Sequence, residues 1–478
     1  METGAGLRSV TRRCARARAA AVFVAALALC LSACGSRLPE RDFVVPGPTG
    51  AAGAATGGAG GGSGGGSGTA SGAASGVSAA SGPPVTVGIV TSVTSLLGTG
   101  TFSGPLYGAQ AFFRALDAGG GLGAVDGRGG RQVTVVTCDD GGTGSGNQSC
   151  VHKLIDQDHV VALVATSALD YAGAPYVSAQ GVPDIGGEPI GTAYDRYPHL
   201  YSIDGSSEPR DGKSVGWNGT EYLTTEVYRY FKQKIGLSRA VVVNYDQADS
   251  SRYAAQVTQG LKAEGYHVLN ETVDFALPGF AAVAAAMKAD RSQLLLDAMD
   301  TRGNVALCQA MAAAGVTVAA KVTTGLNWSA QTGTDYQSVP GCLNALWVTS
   351  TSRSYTDVQY PAVAAFRAAM KRYFPSREGE LSQWELEGWA AAQWFADAAG
   401  SCGAQIDRGC LDRYMQRPQP YEAHGLLVPT SFVPQPSPPK GLQRACLDVA
   451  RWERGGWVTQ VSDMDTNCFD VPALPYRP

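Results

Sequence analysis

The sequence predicts an α/β fold of two lobes, each built on a parallel sheet with helices on its faces. Two observations carry this. Short β-branched runs alternate with stretches of helical period, and that rhythm occurs twice, over residues 85–186 and again over 239–324. The opening strand run, Val85–Thr91, is also continuously apolar rather than alternating, the pattern of a strand covered on both faces. With 478 residues, 44% of them apolar and 16% charged, the chain is long enough for more than one domain.

In the first run, Val85–Thr91 (VTVGIVT) is a strand, and Leu106, Ala109, Phe113 and Leu116 then mark one face of a helix that glycines 119–121 end. Strand Gln132–Thr137, helix Asn147–Gln157, strand Val160–Ala165, helix Leu169–Gln180 and strand Pro183–Gly186 follow. The second run reads as strand Arg239–Asn244, helix Tyr253–Glu264, strand His267–Val273 and helix Phe280–Ala289. It continues through strand Gln293–Asp297, helix Arg302–Ala314 and strand Lys321–Thr324. Three stretches are expected to connect the lobes: after Leu200–Ile203, at Leu346–Ser350 and near Leu426–Phe432. Helices Pro361–Phe374 and Ser382–Ala399 rejoin the first lobe, and Val433–Lys440 with Cys446–Trp457 returns to the second. The division expected is 83–204 with 351–427, and 205–350 with 428–478.

The N-terminus reads as an address. Residues 1–33 hold five arginines and one acid, a charge of +4 that leaves −8 for the remainder of a chain whose formal charge is −4. The basic stretch precedes the apolar run Ala19–Ala33, too short to span a bilayer and suited to the core of a signal peptide. It ends in Leu31-Ser32-Ala33-Cys34-Gly35, which is similar to the lipobox of bacterial lipoproteins and implies cleavage before Cys34 and its lipidation. Each buried acyl CH₂ contributes ~0.8 kcal/mol, so a multiply acylated cysteine anchors firmly. Thr49–Gly82 is 34 residues of Gly, Ala, Ser and Thr apart from Val77, and without aromatics or charges it cannot offset its ordering entropy. Residues 35–82 therefore form a tether with a root-mean-square span of ~40 Å.

Eight cysteines follow the tether: Cys138, Cys150, Cys308, Cys342, Cys402, Cys410, Cys446 and Cys468. An even number in an exported chain indicates disulfides, and sequential pairing is the simplest arrangement. No Cys-x-x-Cys or histidine at ligand spacing supports zinc. An acidic mature chain excludes a broad nucleic-acid face. There is no His-Glu-x-x-His and no Gly-x-x-x-x-Gly-Lys, no nucleophile elbow is read outside the tether, and the five histidines are scattered. No enzyme, cofactor or metal is expected.

Ligands of open α/β sheets sit beyond the carboxyl ends of the strands. One such end delivers Thr166 and Ser167, whose hydroxyls suit a carboxylate, although Ser167 could equally cap a helix. Another delivers Gly187 and Glu188. In the second run the ends deliver Tyr245 and Asp246, then Asp297 and Asp300, acids that could equally cap the next helix. Tyr171 and Trp328 are candidate pocket walls, with core the commoner fate of such rings.

The segments VTVGIVTSVTS, GPLYGAQAFFRALDAGGG, VTVVTCDDGG, VVALVATSA, GVPDIGG, AVVVNYD and LLLDAM…ALCQAMAAAGV, in this order and spacing, resemble the type I periplasmic binding proteins. Among these the chain is most similar to the leucine/isoleucine/valine-binding family that serves ABC importers. The resemblance covers about Val85–Gln460 and implies two Rossmann-like lobes, three hinge crossings and a ligand trapped on closure. It implies an amino-acid-like ligand whose ammonium meets Asp300, or else Asp297, and an ABC permease as partner. Gly187-Glu188 falls where amino-acid-binding members offer backbone donors, and the carboxylate of Glu188 departs from that pattern. The expectation is a monomeric solute-binding lipoprotein on the outer face of the cell membrane. A ligand sensor or envelope interaction protein on the same scaffold is the alternative.

Overall fold

The computed structural model describes residues 82–98, 100–124 and 129–478. The signal segment, Cys34 and the tether up to residue 81 lie outside the described residues.

Sheet one is built from β1 (Val85–Thr91), β2 (Val133–Asp139), β3 (Ala162–Val164), β4 (Asp184–Gly187) and β5 (Leu200–Ser202), all parallel, in the order β2-β1-β3-β4-β5. Val87 and Ile89 are fully buried, as the unbroken apolar run requires. Helix α1 (Gly104–Ala118) stops at Gly119, α2 spans Gly144–His152 and α3 spans Ala174–Ala179.

Sheet two contains β6 (Arg239–Tyr245), β7 (His267–Val273), β8 (Leu294–Ala298), β9 (Ala320–Val322) and β10 (Leu346–Ser350). These five are parallel and run β10-β9-β8-β6-β7 across the sheet. Helices α4 (Ala248–Ala263), α5 (Phe280–Asp290) and α6 (Thr301–Ala314) connect them. Outside β10 the sheet departs from the all-parallel expectation. β11 (Asp448–Glu453) pairs antiparallel with β10, and β12 (Gly456–Thr459) extends the edge as a hairpin around Arg454-Gly455, both at positive φ. A hairpin needs no crossover helix, so the C-terminal return adds strands cheaply in chain length.

Helices α7 (Pro361–Tyr373) and α8 (Gln383–Ser401) pack on α1, as expected for segments returning to sheet one. The start of α8 is set by a capping box, Ser382 with Glu385. The crossing of α1 and α8 is closed by glycine on both sides. A Cβ on Gly108 would lie 1.7 Å from the Glu385 carbonyl oxygen, and one on Gly388 would lie 2.1 Å from that of Pro105.

The three connecting segments lie side by side. Ser206 N donates to Ser431 O (3.1 Å), Val428 N to Thr351 O (2.7 Å) and Arg353 N to Leu426 O (2.7 Å). Thr351 Oγ1 also donates to Asp204 Oδ1 at 2.5 Å. A narrow band of this kind concentrates any lobe rotation in a few backbone torsions. The cysteines close sequentially as Cys138–Cys150, Cys308–Cys342, Cys402–Cys410 and Cys446–Cys468. Among the described residues no helix is long and apolar enough to cross a membrane.

Candidate functional site

Both parallel sheets have the same strand order. Relative to its first strand, each runs second-first-third-fourth-fifth, so each has a switch point between its first and third strands. Two cavities lie between segments of the two sheets. The inner one, about 270 Å³, is lined by Glu188 after β4, Asp204 and Thr351 on the crossings, Glu226, and Trp384 and Glu387 of α8. The outer one, about 430 Å³, is lined by Thr101 and Ser103 before α1, Asp300 and Arg302 at α6, Arg377, and again Trp384.

The inner cavity is strongly acidic. Glu188, Asp204, Glu226 and Glu387 line it, and among the described residues no Lys, Arg or His does. Glu188 is 7% exposed, and its Oε1 finds no donor among the described residues. Its backbone N–H donates to Thr166 O at 2.8 Å, which fixes the turn off β4 and holds the side chain in the cavity wall. The Glu188 and Glu387 carboxyls are neighbours in the wall, and when both are ionised neither can donate to the other. Burial, then the charges of Glu387 and Asp204, hold Glu188 well above the ordinary carboxylate range. Glu387 is pushed up to about 7 by burial, opposed by hydroxyl donation from Ser352. Its Oε1 accepts from Ser350 Oγ (3.1 Å) and from Ser352 Oγ. Asp204 keeps access to water, yet the protein mass around it at the crossings raises its carboxyl too. Glu226 is raised by burial and leaves Oε2 without a donor among the described residues.

The residues singled out in the sequence divide. Glu188 lines the inner cavity, and Asp300 the outer one. Asp300 is also the N-cap of α6, accepting from Gly303 N (3.2 Å), and it receives the Tyr245 hydroxyl at 2.8 Å. Gly187 ends β4 with the Tyr194 hydroxyl packed so tightly on it that a Cβ would lie 1.6 Å away. Thr166 and Ser167 do not open a helix, since α3 begins only at Ala174. Thr166 Oγ1 is instead committed to Asp184 (2.9 Å), which also receives the hydroxyls of Tyr171 and Tyr194. Ser167 lies beside Thr91 at the switch point of sheet one, fully buried, its hydroxyl without a partner among the described residues.

Asp297 is not available to a ligand ammonium. Lys321, buried beside it with neither side chain exposed, takes its carboxylate and also bonds Asn304. Asp246 is exposed and accepts from Phe275 N at 3.1 Å, away from both cavities. Trp328 is core, packed against Trp457, and Tyr171 serves Asp184 rather than a pocket wall. One Gly-x-Ser-x-Gly spacing does occur, at Gly212–Gly216, but in an irregular loop rather than between strand and helix.

Sequence reasoning missed Asp204, Glu226, Trp384 and Glu387. For Glu387 a signal existed: an acid inside the apolar, Ala- and Trp-rich run that forms α8.

The family profile described as periplasmic binding protein matches residues 84–456. No curated protein sequence matches the chain. Among solved structures, the extracellular ligand-binding receptor from Verminephrobacter eiseniae aligns at 17% identity and TM-score 0.60, covering 78% of this chain and 99% of that one. The fatty acid ABC transporter substrate-binding protein from Thermomonospora curvata gives 15% identity and TM-score 0.60, covering 83% and 96%. LivJ from Streptococcus pneumoniae, in complex with isoleucine, gives 15% identity and TM-score 0.58, covering 82% and 100%. At these identities the neighbours establish the shared fold, and their ligands differ widely. Together with the profile match over most of the chain, the two-lobed architecture places this protein in the periplasmic binding protein family, the solute-binding proteins of ABC transporters.

Proposed function

We propose that this chain is an exported, lipid-anchored receptor that captures a small polar solute between its lobes and delivers it to an ABC permease for import. The observation that carries the reading is the pair of cavities between the carboxyl ends of two sheets, flanked by three hydrogen-bonded crossings. The lobes of this reading are 83–204 with 351–427, and 205–350 with 428–478. Rotation about the crossings would bring Glu226 towards Glu188 and Trp384 and exclude water from the solute. Export agrees with four disulfides, which persist in oxidising compartments. Anchoring rests on Cys34 and its flanking residues.

Small-angle scattering of the full chain tests the closure. A bound solute should reduce the radius of gyration of the folded part, and an unchanged profile at saturation would contradict a hinge-closing receptor.

A further inference from the structure

We propose that the inner cavity holds the ammonium or guanidinium group of a small organic cation, with Glu188 and Glu387 as its counter-charges. The inference rests on the receptor reading above and names its solute class. Among the described residues four carboxyls and no basic side chain line the cavity, so a carboxylate ligand finds no counter-charge there. Acidic residues alone would carry little weight. The decisive group is Glu188, more than nine-tenths buried, whose side chain lines the cavity and whose Oε1 lacks any donor among the described residues. Such a group costs free energy in the empty protein, and a cationic donor placed in the cavity removes that cost.

The surroundings fit an organic cation rather than a bare metal ion. Among the described residues no three acidic, histidine or cysteine side chains converge to hold a metal. Trp384 forms part of the wall, and an aromatic face attracts ammonium and guanidinium groups. Ile203, Val227 and Leu447 supply apolar walls that strengthen charge-assisted bonds by excluding water. Glu387 is held in place by Ser350 and Ser352, and Gln383 Nε2 fixes Ser352 by donating to its hydroxyl at 2.7 Å. Glu188 is fixed through its backbone to Thr166. These acids are thus oriented before any ligand arrives.

The carboxyls also predict a proton balance. The groups facing Glu188 are Glu387, Asp204 and the Tyr194 hydroxyl, none of them positive. In the empty cavity burial and mutual repulsion favour a proton on the Glu188–Glu387 pair. A bound cation replaces that proton as the compensating charge, and the proton passes to solvent.

The test is calorimetry on the full chain in detergent, with 1,4-diaminobutane, spermidine and agmatine as probes against benzoate, octanoate, acetamide and isoleucine. Titrations in two buffers of different ionisation enthalpy read the released proton. The inference expects a cationic probe to bind with proton release near pH 7. It also expects Glu188→Gln and Glu387→Gln to weaken binding at least tenfold while melting no lower than the unaltered protein. Binding of benzoate, octanoate, acetamide or isoleucine in preference to every cation would overturn this inference and leave the receptor reading standing. A cation that binds both variants as tightly as it binds the unaltered protein would overturn it as well. If no probe of any class binds the folded chain, the receptor reading falls with it.

Discussion

The carboxyl of Glu188, just after a strand of sheet one, neighbours the carboxyl of Glu387, on the helix that returns to that sheet, with no cationic side chain among the described residues that line their cavity. Two buried like groups side by side cannot both ionise freely, so the folded protein holds protons there that the unfolded chain releases.

Stability should therefore fall as pH rises. Glu188 and Glu387 both lie above the usual carboxylate value, Glu387 at about 7, so between about 4.5 and 7 the folded state binds more protons than the unfolded state. Asp195 and Asp448, at about 6, and Glu208, at about 8, act in the same direction through burial. The melting midpoint is expected to be a few degrees higher at pH 5.5 than at pH 8. Glu387→Gln should flatten part of that slope. A midpoint that rises from pH 5.5 to pH 8 would contradict this.

Asp297 should act through stability. Lys321→Met would leave its carboxylate buried and uncompensated, a loss of ~3–5 kcal/mol. Replacing Asp297 and Lys321 together by apolar residues should cost far less. Denaturant unfolding measures both. A Lys321→Met variant as stable as the original, but weakened in ligand affinity, would return Asp297 to the binding site.

The glycine crossing of α1 and α8 should tolerate no side chain on Gly108. An added Cβ must displace the Glu385 backbone, and overpacking of this kind costs ~1–3 kcal/mol or more. Because α8 carries Trp384 and Glu387, Gly108→Ala should also lower ligand affinity, measurable by calorimetry on the folded fraction. Unchanged stability would mean that the helices can separate freely.

Cys34→Ser should move the protein from the membrane pellet to the soluble fraction without altering solute binding. Continued membrane retention would defeat the anchor assignment.

The fold was legible where composition and local period decide it. β1 and β7 have the bounds read from the sequence, α1 follows its apolar spacing, and α7 ends one residue before the expected Phe374. The helix expected from Leu169 starts only at Ala174, because the chain beyond β3 first pairs Ser167 with Thr91 and turns Tyr171 towards Asp184. The antiparallel edge of β11 and β12 depends on pairing with β10, about a hundred residues earlier, which no local pattern records.

The site was legible only from one side. Strand ends point to Glu188 and Asp300, and topology places each in the wall of one of the two cavities. Their counterparts come from distant segments. Lys321 removes Asp297 from consideration and Glu387 defines the environment of Glu188, and both are tertiary partners.

The most direct measurement is a thermal-shift screen of the full chain against amino acids, amides, small carboxylates, fatty acids and organic cations. A solute at 100 times its dissociation constant stabilises by ~2.7 kcal/mol, enough to move the midpoint by several degrees. A shift confined to one chemical class, and lost when a cavity residue such as Glu188 is replaced, is the result predicted. A folded protein that shows no shift with any class would contradict the claim that this cleft receives a small solute.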